Sequence, residues 1–168
     1  VRTWVPSGES HGMVIRHGEA YTMCKHLTVK NADGTDAYRP TVHYAYCPSN
    51  EAIASVHELK MRDWEMQPKQ RLLNDDIISG RDELGVLLMG HPYKAWWTGS
   101  LLSIDEARKV LPHQSATTLQ VAASIVSAIQ WMFVSPTSGV CVPDDLPHEF
   151  ILENAKPYLG THFSGPTD

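Results

Sequence analysis

Residues 37–59 read AYRPTVHYAYCPSNEAIASVHEL, and the change of period inside this stretch decides the fold class. The first half alternates and carries Tyr38, Arg39, His43, Tyr44 and Tyr46. It stops at Cys47-Pro48 and restarts with Ala52, Ile53, Val56 and Leu59 at helical spacing, behind Ser49 as N-cap. Alternation sends every second side chain to one face of a strand. Tyr38, Tyr44 and Tyr46 therefore share one side, and Arg39, Thr41 and His43 the other. Phenols and imidazoles at that density fit the wall of a pocket for a polar ligand. They also fit a half-exposed strand whose tyrosines cover a core, and both readings stand at this point.

Upstream, residues 12–16 form a short apolar run, and 21–30 mostly alternate, which predicts a strand. Asn31-Ala32-Asp33-Gly34 is a turn signal that pairs this strand with 37–46 as a hairpin. Downstream, 60–69 reads as a polar loop and 71–74 as a short strand. Residues 84–90, LGVLLMG, predict a buried strand that pairs with 95–98 across His91-Pro92-Tyr93. Trp96 and Trp97 then point to opposite faces, one into the core and one free to stack on a cation. Ser103 and Glu106 have capping-box spacing, so a helix runs from there to about Leu111. The longest helix covers 117–134. Gln120, Ser124 and Ser127 form a polar stripe on an otherwise largely apolar surface, which predicts burial against a sheet. A last short helix covers 146–155. Hairpin-connected strands with helices between them give an α+β fold, a largely antiparallel sheet with helices packed on one face.

The 168 residues suffice for a single domain over 1–168 with a real core. A formal charge of −5 with scattered basic residues argues against a nucleic-acid partner. Cys24, Cys47 and Cys141 are far apart and form no CxxC pair, which suggests reduced thiols and a cytoplasmic setting. The apolar run within 121–134 is interrupted and short for a bilayer, so no membrane partner is expected. A start at Val1 and an end in SGPTD suggest a piece of a longer protein.

The chemistry-bearing residues are few. His17 and Glu19 lie two apart, so an extended backbone puts both on one face. A carboxylate beside an imidazole holds one tautomer and favours the charged ring, which suits proton transfer or the grip of an ammonium group. Gly18 between them lets a ligand approach the backbone. An exposed turn with two unrelated polar residues is the plain alternative. Asp82 stands at the mouth of the predicted strand 84–90, facing a pocket or solvent. His57-Glu58 is followed by Met61, so the HExxH zinc arrangement is absent and no metal is predicted. No G-x-G-x-x-G, G-x-x-x-x-G-K-[ST] or G-x-S-x-G motif occurs.

A collinear set of segments carries a resemblance. It comprises Val1-Arg-Thr-Trp-Val-Pro6, His17-Gly-Glu19, Leu27-Thr-Val29, Tyr38-Arg-Pro-Thr-Val-His-Tyr-Ala-Tyr46 and Asp82-Glu-Leu-Gly-Val-Leu-Leu88. Gly99-Ser-Leu-Leu-Ser-Ile104, Ala116-Thr-Thr-Leu-Gln-Val121 and Pro157-Tyr-Leu-Gly160 complete it. Over nearly its whole length the chain resembles the bacterial homospermidine synthase family, which is similar to saccharopine dehydrogenase in architecture. The resemblance implies a substrate-side and dimerisation domain whose NAD-binding Rossmann domain lies upstream. It also implies a cytoplasmic homodimer that joins two putrescines through an imine with release of ammonia. His17 and Glu19 fall on the family's active-site His-x-Glu, as proton shuttle and amine partner. Asp82, His43 and Tyr44 fall near its substrate. Gly18 stands where the family often has Asn, and Cys47-Pro48 replaces a more polar dipeptide. Two other readings remain at this stage, a saccharopine-type imine reductase and a non-catalytic dimerisation or polyamine-binding module. The reductase needs paired cations for its substrate's carboxylates, with Arg39 and Arg71 as the candidates.

Overall fold

The structure, a computed structural model, describes residues 1–167 and is α+β. It divides into two compact units, Val1–Thr3 with Glu9–Leu72, and Trp4–Gly8 with the chain from Leu73 onward. Length alone predicts one domain over 1–168. Among the described residues the strands form four small sheets, and every pair with a defined register is antiparallel.

The chain opens with the hairpin of β1 (Arg2–Val5) and β2 (Gly8–His11). The first unit continues with β3 (Met13–Ile15), α1 (Gly18–His26), β4 (Val29–Lys30), β5 (Asp36–Tyr38), β6 (Tyr44–Tyr46) and α2 (Asn50–Met61). The strand expected over 21–30 is thus mostly helix. Ala20, Met23, Cys24 and Leu27 recur at helical spacing, and the first three are half-buried. That stripe outweighs the looser alternation of the same residues. Only β4 and β5 close on the turn, where the Thr35 N–H donates to Asp33 at 3.0 Å and Gly34 adopts φ 85°. Pro40 has no N–H to give a ladder and separates β5 from β6. Residues 37–46 are therefore two strands, and β6 pairs with β3. Ser49 caps α2 as expected, accepting from the Ala52 N–H at 3.3 Å.

The second unit holds β7 (Arg81–His91), β8 (Lys94–Ser103), α3 (Ile104–Val110), α4 (Ala116–Val134), α5 (His148–Ala155) and β9 (Thr161–Pro166). Its sheet has the order β7-β8-β9. Residues 71–74 join no strand. The capping box of α3 forms as its spacing requires, with Glu106 N–H to Ser103 Oγ at 3.2 Å and Ser103 N–H to Glu106 Oε2 at 3.0 Å.

One face of this sheet holds Trp97, 2% exposed, against Phe163 at a ring distance of 5.8 Å. Gly85 and Gly99 are cross-strand partners beneath that indole. A Cβ on Gly99 would stand 2.7 Å from Trp97 Cη2, closer than real side chains approach. Gly99→Ala is therefore expected to force overpacking that costs about 1–3 kcal/mol. A thermal melt checks this: Tm should fall by several degrees, and an unchanged Tm contradicts the packing. Trp96 points to the other face and donates from Nε1 to Ser164 Oγ at 2.9 Å.

That other face carries the apolar cluster of Leu102, Ala107, Ala116 and Leu119, with Leu111 against it. Here α4 departs from expectation. Its buried residues are Ala116, Leu119, Gln120, Ala123 and Ser127, whereas Val121, Ile125, Ile129, Met132 and Phe133 are exposed. Small side chains let the helix backbone approach its neighbours closely. Of its two buried polar side chains, Ser127 donates from Oγ to the Ala123 carbonyl at 2.8 Å, and Gln120 donates from Nε2 to Ser100 Oγ at 3.4 Å while its Oε1 finds no protein partner among the described residues. By length and composition α4 is apolar enough to cross a membrane, although the run from 121 alone reads as too short. β7 is likewise an edge strand, not a buried one, and Leu84, Val86 and Leu88 are exposed on it.

Candidate active site

The β3–β6 ladder builds the site. Its register sets Ile15 opposite Tyr44 and Met13 opposite Tyr46, so these four share one side of the ribbon. Alternation carried on from Ile15 brings His17 to that same side. His17 is still extended, with φ −133° and ψ 143°, and is the N-cap of α1. Its side chain makes no cap bond. The imidazole stacks on Tyr44 instead, with ring centroids 4.1 Å apart and planes 16° from parallel.

Glu19 is not on extended backbone, as its spacing from His17 suggested. It lies in the first turn of α1, where the positive end of the helix favours a carboxylate. From there its Oε2 reaches back into ion-pair contact with His17 Nδ1. The turn into the helix achieves what two-residue alternation would have done. The side chains are 38% exposed for His17 and 53% for Glu19, so the ring is open to an incoming group and the carboxylate is tethered, not free in solvent. Gly18 leaves the backbone between them uncovered, since a Cβ there would meet nothing within 4 Å.

Burial pushes the Tyr44 phenol above its ordinary value, and the negative charges of Glu19 and Tyr46 add to that. Tyr44 therefore stays protonated at neutral pH and acts as a hydrogen-bond donor. The folded state holds this proton more tightly than the unfolded chain does. The associated stability is intact below pH ~10 and is lost as pH rises through the folded value. In an alkaline difference titration, the phenolate step that Tyr44→Phe removes should lie above pH ~10. A step at or below that value contradicts the assignment.

The other sequence candidates are placed differently. His43 is exposed just before β6 and, by alternation, lies on the opposite side from Tyr44. Asp82 belongs to the second unit, half-buried on β7 opposite Leu102, and accepts a hydrogen bond from the Thr117 hydroxyl. Nothing in the spacing of the sequence links Thr117 to Asp82, and only the packing of α4 on the sheet makes the pair. Among the described residues, no group of three or more His, Cys, Asp or Glu side chains converges to hold a metal ion. The first unit thus sets an imidazole, a carboxylate and a neutral phenol side by side around one exposed stretch of backbone.

Comparison with known proteins places the chain. The family model described as the saccharopine dehydrogenase C-terminal domain matches residues 1–161. A homospermidine synthase from Blastochloris viridis is 41% identical over 167 residues, which is 95% of this chain and 34% of that protein. A homospermidine synthase from Mesorhizobium japonicum is 40% identical over 162 residues, 95% of this chain and 33% of that protein. The chain thus spans about a third of the length of the curated relatives it matches. The crystal structure of a homospermidine synthase from Legionella pneumophila in complex with NAD superposes with a TM-score of 0.93. That protein is 47% identical, and the match covers 100% of this chain and 37% of that one.

Proposed function

This chain belongs to the saccharopine dehydrogenase C-terminal domain family, and we propose that it is the substrate-side domain of an NAD-dependent homospermidine synthase. The reaction joins two putrescines into homospermidine and releases ammonia. The observation that carries this reading is the His17–Glu19–Tyr44 cluster, a proton-transfer group and an ammonium-binding group held side by side. NAD supplies the acceptor and later the donor of hydride. Without a glycine-rich dinucleotide fingerprint, this chain offers no cradle for the cofactor's pyrophosphate. We therefore assign that cradle to a Rossmann domain outside it.

Within the cluster, Glu19 holds the ammonium end of a diamine, and His17 takes up and returns the proton of the reacting amine. Tyr44 supports the imidazole from beneath and donates to a nitrogen or oxygen lone pair. Free thiols at Cys24, Cys47 and Cys141 support a cytoplasmic setting. A homodimer belongs to the same reading. From Leu84 to Gly90 the β7 edge has no charge and no proline to discourage pairing, and a two-fold axis can join such an edge to its own copy. Sedimentation of the full-length protein as a monomer would remove that part.

The test is an assay with putrescine and NAD. Full-length protein should form homospermidine, while the isolated chain of 168 residues should not. Turnover by the isolated chain contradicts the division of labour, and no product from the full-length protein contradicts the reaction.

A further inference from the structure

The β3–β6 ribbon continues past the His17 imidazole as an uncharged surface. Ile15 and Met13 precede His17 at two-residue steps on one side of β3, and their cross-strand partners are Tyr44 and Tyr46. Tyr46 lies close enough to Tyr44 to help raise its phenol, which agrees with both rings sharing that side. Val14 and Arg16 alternate to the opposite side. Met13, Ile15 and Tyr46 are large and apolar, yet all three are exposed. Exposed apolar side chains gathered on one short ribbon mark a contact surface, as scattered ones do not.

This surface joins the His17–Glu19 pair directly, so a molecule gripped by Glu19 meets it at once. A diamine held there by one ammonium has two directions for its remaining atoms. Along α1 they lead toward Lys25 in the last turn, where a second ammonium is repelled. Along the ribbon they meet aliphatic and aromatic carbon and no cationic side chain. Each two-residue step of a strand spans about 7 Å. That step is comparable to an extended tetramethylene spacer with its end nitrogens. One step from His17 is Ile15, and the next brings the pair of Met13 and Tyr46.

We propose that Ile15 is a specificity-determining residue: with Tyr46 it covers the methylene spacer of the bound diamine and so sets the chain length that fits. This rests on the diamine reading above and adds the surface that measures the substrate. The spacer of putrescine lies on the Ile15 side chain while its reacting end stays at His17 and Glu19. A longer spacer must bulge away from the ribbon to keep that end in place, and it loses apolar contact. Shortening the side chain at position 15 opens a depression that takes up the bulge.

The experiment uses the full-length protein and compares kcat/KM for putrescine with that for cadaverine, its homologue with one more methylene. Ile15→Ala should move the ratio about 10-fold toward cadaverine, the scale of one methylene in an apolar site. Tyr46→Ala should move it in the same direction. Val14→Ala shortens a side chain on the opposite side of the same strand and should leave the wild-type ratio. Both diamines are measured on one preparation, so a loss of folded protein lowers both rates equally and leaves the ratio unchanged. An unchanged ratio in Ile15→Ala therefore shows a merely structural side chain and overturns the proposal. An equal shift in Val14→Ala overturns it too, because the effect then belongs to the strand and not to its face. A wild-type ratio in Tyr46→Ala alone removes Tyr46 from the proposal. If Ile15→Ala does not fold, Ile15→Val decides on the same ratio, with a smaller shift in the same direction. If the full-length protein forms no homospermidine, the reaction reading fails first. Calorimetry with putrescine and cadaverine on the same variants then decides the role of Ile15 separately, with the ratio of affinities in place of kcat/KM.

Discussion

His17→Ala in the full-length protein is expected to lower kcat for homospermidine formation by about 10²–10⁴-fold, the usual contribution of a general acid–base group. The fold should survive. His17 is a half-exposed N-cap without a cap bond, so α1 does not depend on its side chain. Its contact with Glu19 is an exposed ion pair, worth about 0–1 kcal/mol. Activity and stability therefore separate cleanly, with a large loss of turnover and a thermal melt close to wild type. Tyr44 loses its stacking partner but remains in the β3–β6 ladder, so the strand pair persists. A kcat within about 2-fold of wild type would remove His17 from the chemistry, because no positioned proton-transfer group contributes so little.

Glu19→Gln is expected to weaken putrescine binding by about 10–100-fold, since the ammonium then meets a neutral amide oxygen in place of a carboxylate. The substitution keeps shape and acceptor oxygen and removes only the charge. Calorimetry on the full-length protein reads the effect without turnover. The same titration at raised salt should show a smaller gap between wild type and variant, because the carboxylate is half-exposed and its attraction is screened. Equal affinities at low salt would falsify the assignment of the ammonium to Glu19. The two substitutions also differ in kind. His17→Ala acts on the rate at saturating diamine, whereas Glu19→Gln acts first on the concentration needed to reach saturation.

Much of the local structure is legible in the residues themselves. Ser49 and Ser103 cap helices because a serine hydroxyl at that position meets the free N–H groups of the first turn. The hairpin from β7 to β8 follows from two apolar runs with a short polar connection between them. His17 and Glu19 stand out because imidazole and carboxylate occur two apart beside a glycine, a pairing that needs no distant element to bring it together. The strand expected over 21–30 shows the limit of the same reasoning. Its alternating and helical stripes overlap, and the choice between them depends on what each stripe packs against.

What the sequence by itself determined is the set of contacts between near neighbours: the caps, the turn at 31–35, and the meeting of His17 with Glu19. Tertiary structure alone decided which surfaces are inside. It turned the small and polar stripe of α4 inward and left Ile125 and Phe133 exposed, made β7 an edge, and set Thr117 on Asp82 across 35 residues. The reason is physical. Caps and turns are satisfied by groups a few bonds away, whereas burial is a relation between two surfaces, and a stripe of side chains specifies only its own half of that relation.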